Sequence, residues 1–179
     1  MSDVAGTQEL QDVPDGFRHV SAVLGTLGHP HAPILLQVNA RTAQEAADAL
    51  GVQLGQIAKS VIFRRRADDV AVLVVTSGDR RVDEKKVAAL AGALGRADAD
   101  FVKARTGFTI GGVSPVGHAN TPVTLIDREL LRFDEIWAAA GHPKGVFRLS
   151  PAELQGLTQA PVADVTQDVA HVTPAAPAA

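Results

Sequence analysis

The runs IAKSVIF (57–63) and VAVLVVT (70–76) lie on either side of RRRADD, and both are rich in β-branched residues. The simplest structure joining them is a β-hairpin with the charged hexapeptide at its turn. That hairpin is the centre around which the other elements are read. Before it, Phe17, Val20, Val23, Leu24 and Leu27 follow helical spacing, and Gly28 closes the helix. PILLQV (33–38) reads as a strand. TAQEAADALG (42–51) is a short helix, with Thr42 and Glu45 forming a capping box and Gly51 as its stop. After the hairpin, VDEKKVAALAG is a helix capped by Asp83 and ended by Gly92. ADFV (99–102) suggests a short strand, and PVTLID and GVFRLS are clearer ones. EIWAAAG is ambiguous. SPAELQGL is a helix with Ser150 as N-cap, Pro151 at its first position and Glu153 completing a box. Strands and helices mix without strict βαβ alternation, which predicts a mixed α+β fold rather than a doubly wound sheet.

The chain of 179 residues is long enough for one domain with its own core. Residues 1–15 read as a loose leader, 16–160 as the domain, and the Ala/Pro-rich segment 161–179 as a disordered tail. The net charge of −3 argues against coating nucleic acid by bulk charge. With no cysteine, disulfides, thiolate nucleophiles and cysteine zinc sites are excluded. No apolar run approaches the ~20 residues that span a bilayer, and the N-terminus lacks the pattern of a secretory signal. A soluble, cytoplasmic protein without a membrane partner is expected.

Lys59 is a lone charge in an apolar strand pattern. Alternation places it with Ile57 and Val61 on one face, and Ala58, Ser60 and Ile62 on the other. It is either a surface lysine on the open face of an edge strand, or a cation lining a cleft to meet a phosphate or carbonyl oxygen. The loop RTGFTIGGVSPVGHANTP (105–122) concentrates glycine and proline. It is either a structural turn or a shaped loop whose N–H groups, with Ser114 as an extra donor, hold an oxygen atom. His142, between Gly141 and Pro143, is a candidate for hydrogen-bonding substrate or orienting water, and His118 is a rim candidate. His29 and His31 lack a nearby third ligand, so no metal is expected. Arg64, Arg65 and Arg66, with Arg80, Arg81, Lys85, Lys86, Lys103 and Arg105, are either a solvated face or, clustered beside the loop, an electrostatic footprint for phosphate.

Together, TAQEAADALGVQLGQIAKSVIFR, SGDRRVDEKKVAAL, TGFTIGGVSPVGH and AGHPKGVFRLSPAEL resemble the YbaK/ProX family, free-standing relatives of the editing domain of bacterial prolyl-tRNA synthetase. The resemblance runs from about Phe17 to Leu157. It implies a mixed α/β fold and hydrolysis of aminoacyl-tRNA esters in trans, without metal or cofactor. The family's lysine falls on Lys59, its G-x-x-x-P loop on Gly111 to Pro115, and its G-H-P element on Gly141, His142 and Pro143. The implied catalytic residues are Lys59, Gly111, Gly112 and His142. Ser60, Val113, Ser114, Pro115, Gly117, Gly141 and Pro143 are implied to bind substrate, and Arg64, Arg65, Arg66, Arg80 and Lys103 are expected to hold tRNA. The implied partners are the acceptor end of tRNA and prolyl-tRNA synthetase. The implied substrate is a small amino acid on tRNA, as in Cys-tRNA(Pro), or alanine, serine or threonine. An alanine-selective branch has Asn after the lysine where this chain has Ser60. The competing readings are a non-catalytic tRNA- or synthetase-binding module of the same fold, and a binder of small carboxylates or nucleotides.

Overall fold

A computed structural model of the chain describes residues 13–169. A mixed sheet of eight strands forms its centre: β1 (Ile34–Leu35), β2 (Ile57–Arg65), β3 (Ala71–Ser77), β4 (Leu94–Arg96), β5 (Val123–Asp127), β6 (Ile136–Ala139), β7 (Gly145–Leu149) and β8 (Val162–Ala163). The order across the sheet is β1-β7-β6-β2-β3-β5-β8, with β4 also on β2. Five α-helices flank it: α1 (Asp15–Thr26), α2 (Ala43–Leu50), α3 (Glu84–Ala91), α4 (Ala99–Thr106) and α5 (Pro151–Thr158).

The hairpin forms as its composition dictates. β2 and β3 pair antiparallel from Ala58↔Ser77 to Arg64↔Ala71. All of β3 is buried, because both faces of the sheet are covered there. On one face Leu73 and Val75 pack with Phe17, Val20 and Leu24 of α1, Val102 of α4 and Leu154 of α5. On the other, Val72 and Val74 pack with Leu125 beneath Val87 and Ala91 of α3. A third cluster joins Ala46 and Ala47 of α2 to Ile57 and Val146. Each fully buried Leu or Val here contributes about 1.5–3 kcal/mol relative to exposure. α2 and α3 thus cover opposite ends of one sheet face.

Local capping signals were reliable. Thr42 and Glu45 form the reciprocal box, as do Ser150 and Glu153, and the Asp83 carboxylate accepts from the Lys85 and Lys86 N–H groups. Three expectations change. ADFV is the first half of α4, not a strand: the Asp98 carboxylate accepts from the Phe101 N–H at 2.8 Å, and Gly107, at φ 84°, ends the helix. β2 is an interior strand, with β3 along one side and β6 and β4 on the other. Of the segment 161–179 expected as a tail, residues 161–169 are built into the domain. β8 pairs with β5, Val165 is fully buried, Thr166 bridges to Val82, and Asp164 accepts from Lys86 at 3.0 Å. The rest of that tail, and the first twelve residues of the leader, lie outside the described residues. No described helix is long and apolar enough to cross a membrane.

Candidate active site

β2 carries Lys59 to a break in the sheet. β6 runs parallel to β2 and pairs only at Ile57↔Trp137 and Ala58↔Ala138; β4 takes over at Phe63↔Arg96. Between them no strand among the described residues pairs with that side of β2. A cleft of about 250 Å³ opens at this gap. It is lined by Ile57, Ala58, Lys59 and Ser60 of β2, Ala138 and Ala139 of β6, Gly111, Val113 and Pro143 of two loops, and Ala40 to Ala43 at the start of α2. Its size is below the usual range for drug-sized ligands, so it suits a small group. Its lining is mostly apolar, includes Lys59 and Arg41, and contains no carboxylate.

The Lys59 side chain is half-buried and donates from Nζ to the Arg80 carbonyl at 2.8 Å. Burial pushes its pKa down from the usual lysine value, and the neighbouring Arg81 charge pushes the same way, against the opposing pull of Asp79 and Asp127. Ser60 Oγ is buried and has no hydrogen-bond partner among the described residues. An unsatisfied buried hydroxyl costs about 1–3 kcal/mol.

The glycine loop is only partly available for chemistry. Gly111, at φ 94°, reaches the cleft, as does Val113. The Gly112 N–H donates to the Thr109 carbonyl at 3.0 Å, so it is not a spare donor. Gly112 is glycine for another reason: a Cβ there would lie 2.8 Å from His142 Cα and 2.9 Å from its N and C. The two loops therefore touch backbone to backbone. Ser114 is fully buried; its Oγ accepts from the Val116 N–H at 3.2 Å, and its carbonyl accepts from His118 Nε2 at 2.7 Å. That is a structural turn, and the expectation of Ser114 as an extra substrate donor is corrected. Pro115 and Gly117 line a different groove, beside Val23 and Leu157.

His142 lies outside the lining of the Lys59 cleft. Its Nδ1 accepts from the Lys144 N–H at 3.1 Å, and the residue lines a depression with His19, Phe108 and His118 rather than the Lys59 cleft. Gly141, at φ 81°, lies in the same depression; a Cβ there would collide with the Gly16 carbonyl oxygen, so only glycine lets α1 pack this closely on the loop. Pro143 alone of the three lines the cleft.

The arginine run is mostly engaged internally. Arg64 pairs with Asp69 at 2.6 Å and Arg65 with Asp68 at 2.7 Å, while Arg66 donates to the Leu94 carbonyl at 2.7 Å. Arg80 pairs with Glu129 at 3.3 Å, and Lys103 donates to the Gly107 carbonyl. In contrast, the exposed guanidiniums of Arg41 and Arg81 make no hydrogen bond or ion pair among the described residues. Arg41 stands at the Lys59 cleft, and Arg81 lines a groove on the other side of Lys59. Arg41 had no sequence signal beyond its place before the Thr42 cap. Among the described residues, no group of three or more His, Asp or Glu is placed to hold a metal.

The family model for the aminoacyl-tRNA editing domain matches residues 37–157, which include every residue named above as lining the cleft. The chain belongs to the aminoacyl-tRNA editing domain family. Among editing-domain relatives, it is 37% identical over 119 residues to the uncharacterized protein YwhH of Bacillus subtilis, covering 66% of this chain and 75% of that one. It is 27% identical over 127 residues to EbsC of Enterococcus faecalis, provisionally named a Cys-tRNA(Pro)/Cys-tRNA(Cys) deacylase, covering 70% and 77% of the two chains. A solved structure described provisionally as a trans-editing enzyme for prolyl tRNA synthetase superposes with a TM-score of 0.82 at 40% identity, over 88% of this chain and all of the other. The mixed sheet and its flanking helices are thus the editing-domain fold.

Proposed function

We propose that the protein is a trans-editing deacylase that hydrolyses the ester of a small amino acid mischarged onto tRNA. The observation that supports this best is the cleft at the break between β2 and β6, where Lys59, Ser60, Gly111 and Val113 meet. It is small and mostly apolar, with Lys59 and Arg41 in its lining. An aminoacyl ester is already activated, so its hydrolysis needs positioning and charge stabilisation more than a strong nucleophile.

In this reading the amino acid enters the cleft and the terminal ribose and phosphate stay at its mouth. Lys59 and Arg41 hold the anionic end. Water adds to the ester carbonyl, the bond from the acyl carbon to the ribose oxygen breaks, and free amino acid and a tRNA hydroxyl leave. Gly111 and Val113 are the loop residues that line the cleft, and none of the loop's hydrogen bonds uses the N–H of either, so both are free to serve the developing oxyanion. The relative provisionally named for deacylation of Cys-tRNA(Pro) and Cys-tRNA(Cys) supports the same reaction class. Cysteine, alanine, serine and threonine are the candidate amino acids, and tRNA(Pro) is the first tRNA to test. Release of amino acid from that panel is the experiment that decides it.

A further inference from the structure

The break in the sheet exposes main-chain groups at a defined place. The Arg65 N–H donates to the Val70 carbonyl at 2.9 Å, in the β2–β3 register. Groups along an antiparallel strand alternate in direction, so Arg65, Phe63, Val61 and Lys59 turn their N–H and C=O toward β3. Ser60 turns both of its groups the other way, toward the cleft. On that side the parallel ladder with β6 ends at Ala58↔Ala138. The next rung would join the Ser60 N–H to the Ala139 carbonyl; it is not made, although both residues line the cleft. Neither Ser60 main-chain group takes part in any of the loop or turn hydrogen bonds among the described residues.

An aminoacyl group presents one N–H donor and one carbonyl acceptor with the spacing of a single β-strand residue. We infer that the substrate's amino acid completes the interrupted sheet, its α-amino group donating to the Ser60 carbonyl and its ester carbonyl accepting from the Ser60 N–H. The cleft lining holds no carboxylate, so the acceptor for the amino group is a neutral oxygen, and the cleft-facing Ser60 carbonyl supplies one. The Ser60 N–H then joins the loop as a donor to the ester oxygen, where the Gly112 N–H is unavailable. The site therefore reads an N–H donor on the α-carbon as well as a small side chain, so that desamino acyl esters are poor substrates. This rests on the deacylase reading above.

The test compares single-turnover hydrolysis of whichever aminoacyl-tRNA is the best substrate with that of its desamino form, in which hydrogen replaces the α-amino group, each divided by its uncatalysed rate. Loss of the amino group should lower the enzymatic enhancement on the order of 10- to 100-fold, because a buried acceptor loses its partner. Equal enhancement of the two forms would overturn this inference while leaving the deacylase reading intact. No hydrolysis of any charged tRNA would overturn both. A second arm uses Ser60→Pro against Ser60→Ala. Proline removes the cleft-facing N–H without touching the ladder to β3, whereas alanine keeps that N–H. The proline variant, confirmed folded by its melting temperature, should hydrolyse at least about 10-fold more slowly than the alanine variant. Equal rates in two folded variants would remove the donor role of Ser60; if proline prevents folding, the desamino comparison decides.

Discussion

The Lys59 ammonium rests on the Arg80 carbonyl at 2.8 Å, across from the unpaired guanidinium of Arg81. Burial and the Arg81 charge both disfavour the ammonium, against the opposing pull of Asp79 and Asp127. An anionic ligand relieves both.

Lys59→Ala should therefore abolish most deacylation while sparing the fold. The lost hydrogen bond is a single contact to a main-chain oxygen, worth about 0.5–1.5 kcal/mol. The rate should fall on the order of 100-fold or more, as for loss of a transition-state electrostatic partner. Melting temperature and single-turnover rate, measured on one preparation, check this. Unchanged activity would remove Lys59 from the site.

Gly112 makes the opposite prediction. With its N–H on Thr109 and no room for a Cβ against His142, Gly112→Ala should act mainly on stability. A clash with main-chain atoms in a packed loop costs about 1–3 kcal/mol. Activity should track the folded fraction in a denaturant series. A variant that melts normally but hydrolyses far more slowly would restore Gly112 as a catalytic donor.

The hairpin, the caps and the core helices were legible because their signals are local. Thr42 with Glu45, Ser150 with Glu153, and the β-branched runs each act within a few residues. ADFV was misread because four residues carry too little periodicity, although Asp98 and Gly107 bracket it as caps. The Lys59 cleft was half legible. Its lysine stood out by polarity, but the break depends on where β6 leaves β2, about 80 residues away in sequence. The engagement of the Gly112 N–H and the outward turn of His142 are likewise set by the packing of one loop on another.

Nucleic-acid binding should follow the unpaired cations. Replacing Arg41 and Arg81 together with alanine should weaken tRNA binding and reduce its salt slope by about two phosphate contacts, since each neutralised phosphate releases counterions. Replacing Arg64 and Arg65 should do less, because Asp69 and Asp68 already neutralise them. Binding curves across a salt series distinguish the pairs. A larger effect from Arg64 and Arg65 would move the tRNA to the hairpin end of β2.

His118 gives the fold a pH dependence. Burial lowers its pKa below the usual histidine value, against the opposing hydrogen bond to the Ser114 carbonyl. The native state thus favours neutral imidazole, and the unfolded chain binds the extra proton first. The contribution is present above the unfolded pKa of about 6.5 and is lost as pH falls through the lower folded value. Urea denaturation at about pH 7.5 and about pH 5 should show this loss, and His118→Gln should reduce it. An identical pH slope in the variant would place the dependence elsewhere.

The most direct test of the central claim is amino-acid release from tRNA(Pro) charged with cysteine, alanine, serine, threonine or proline. The account predicts turnover of at least one small mischarged amino acid, little release of proline, and loss of that turnover in folded Lys59→Ala. Release no faster than the uncatalysed rate from every charged tRNA, by a protein shown to be folded, would contradict it.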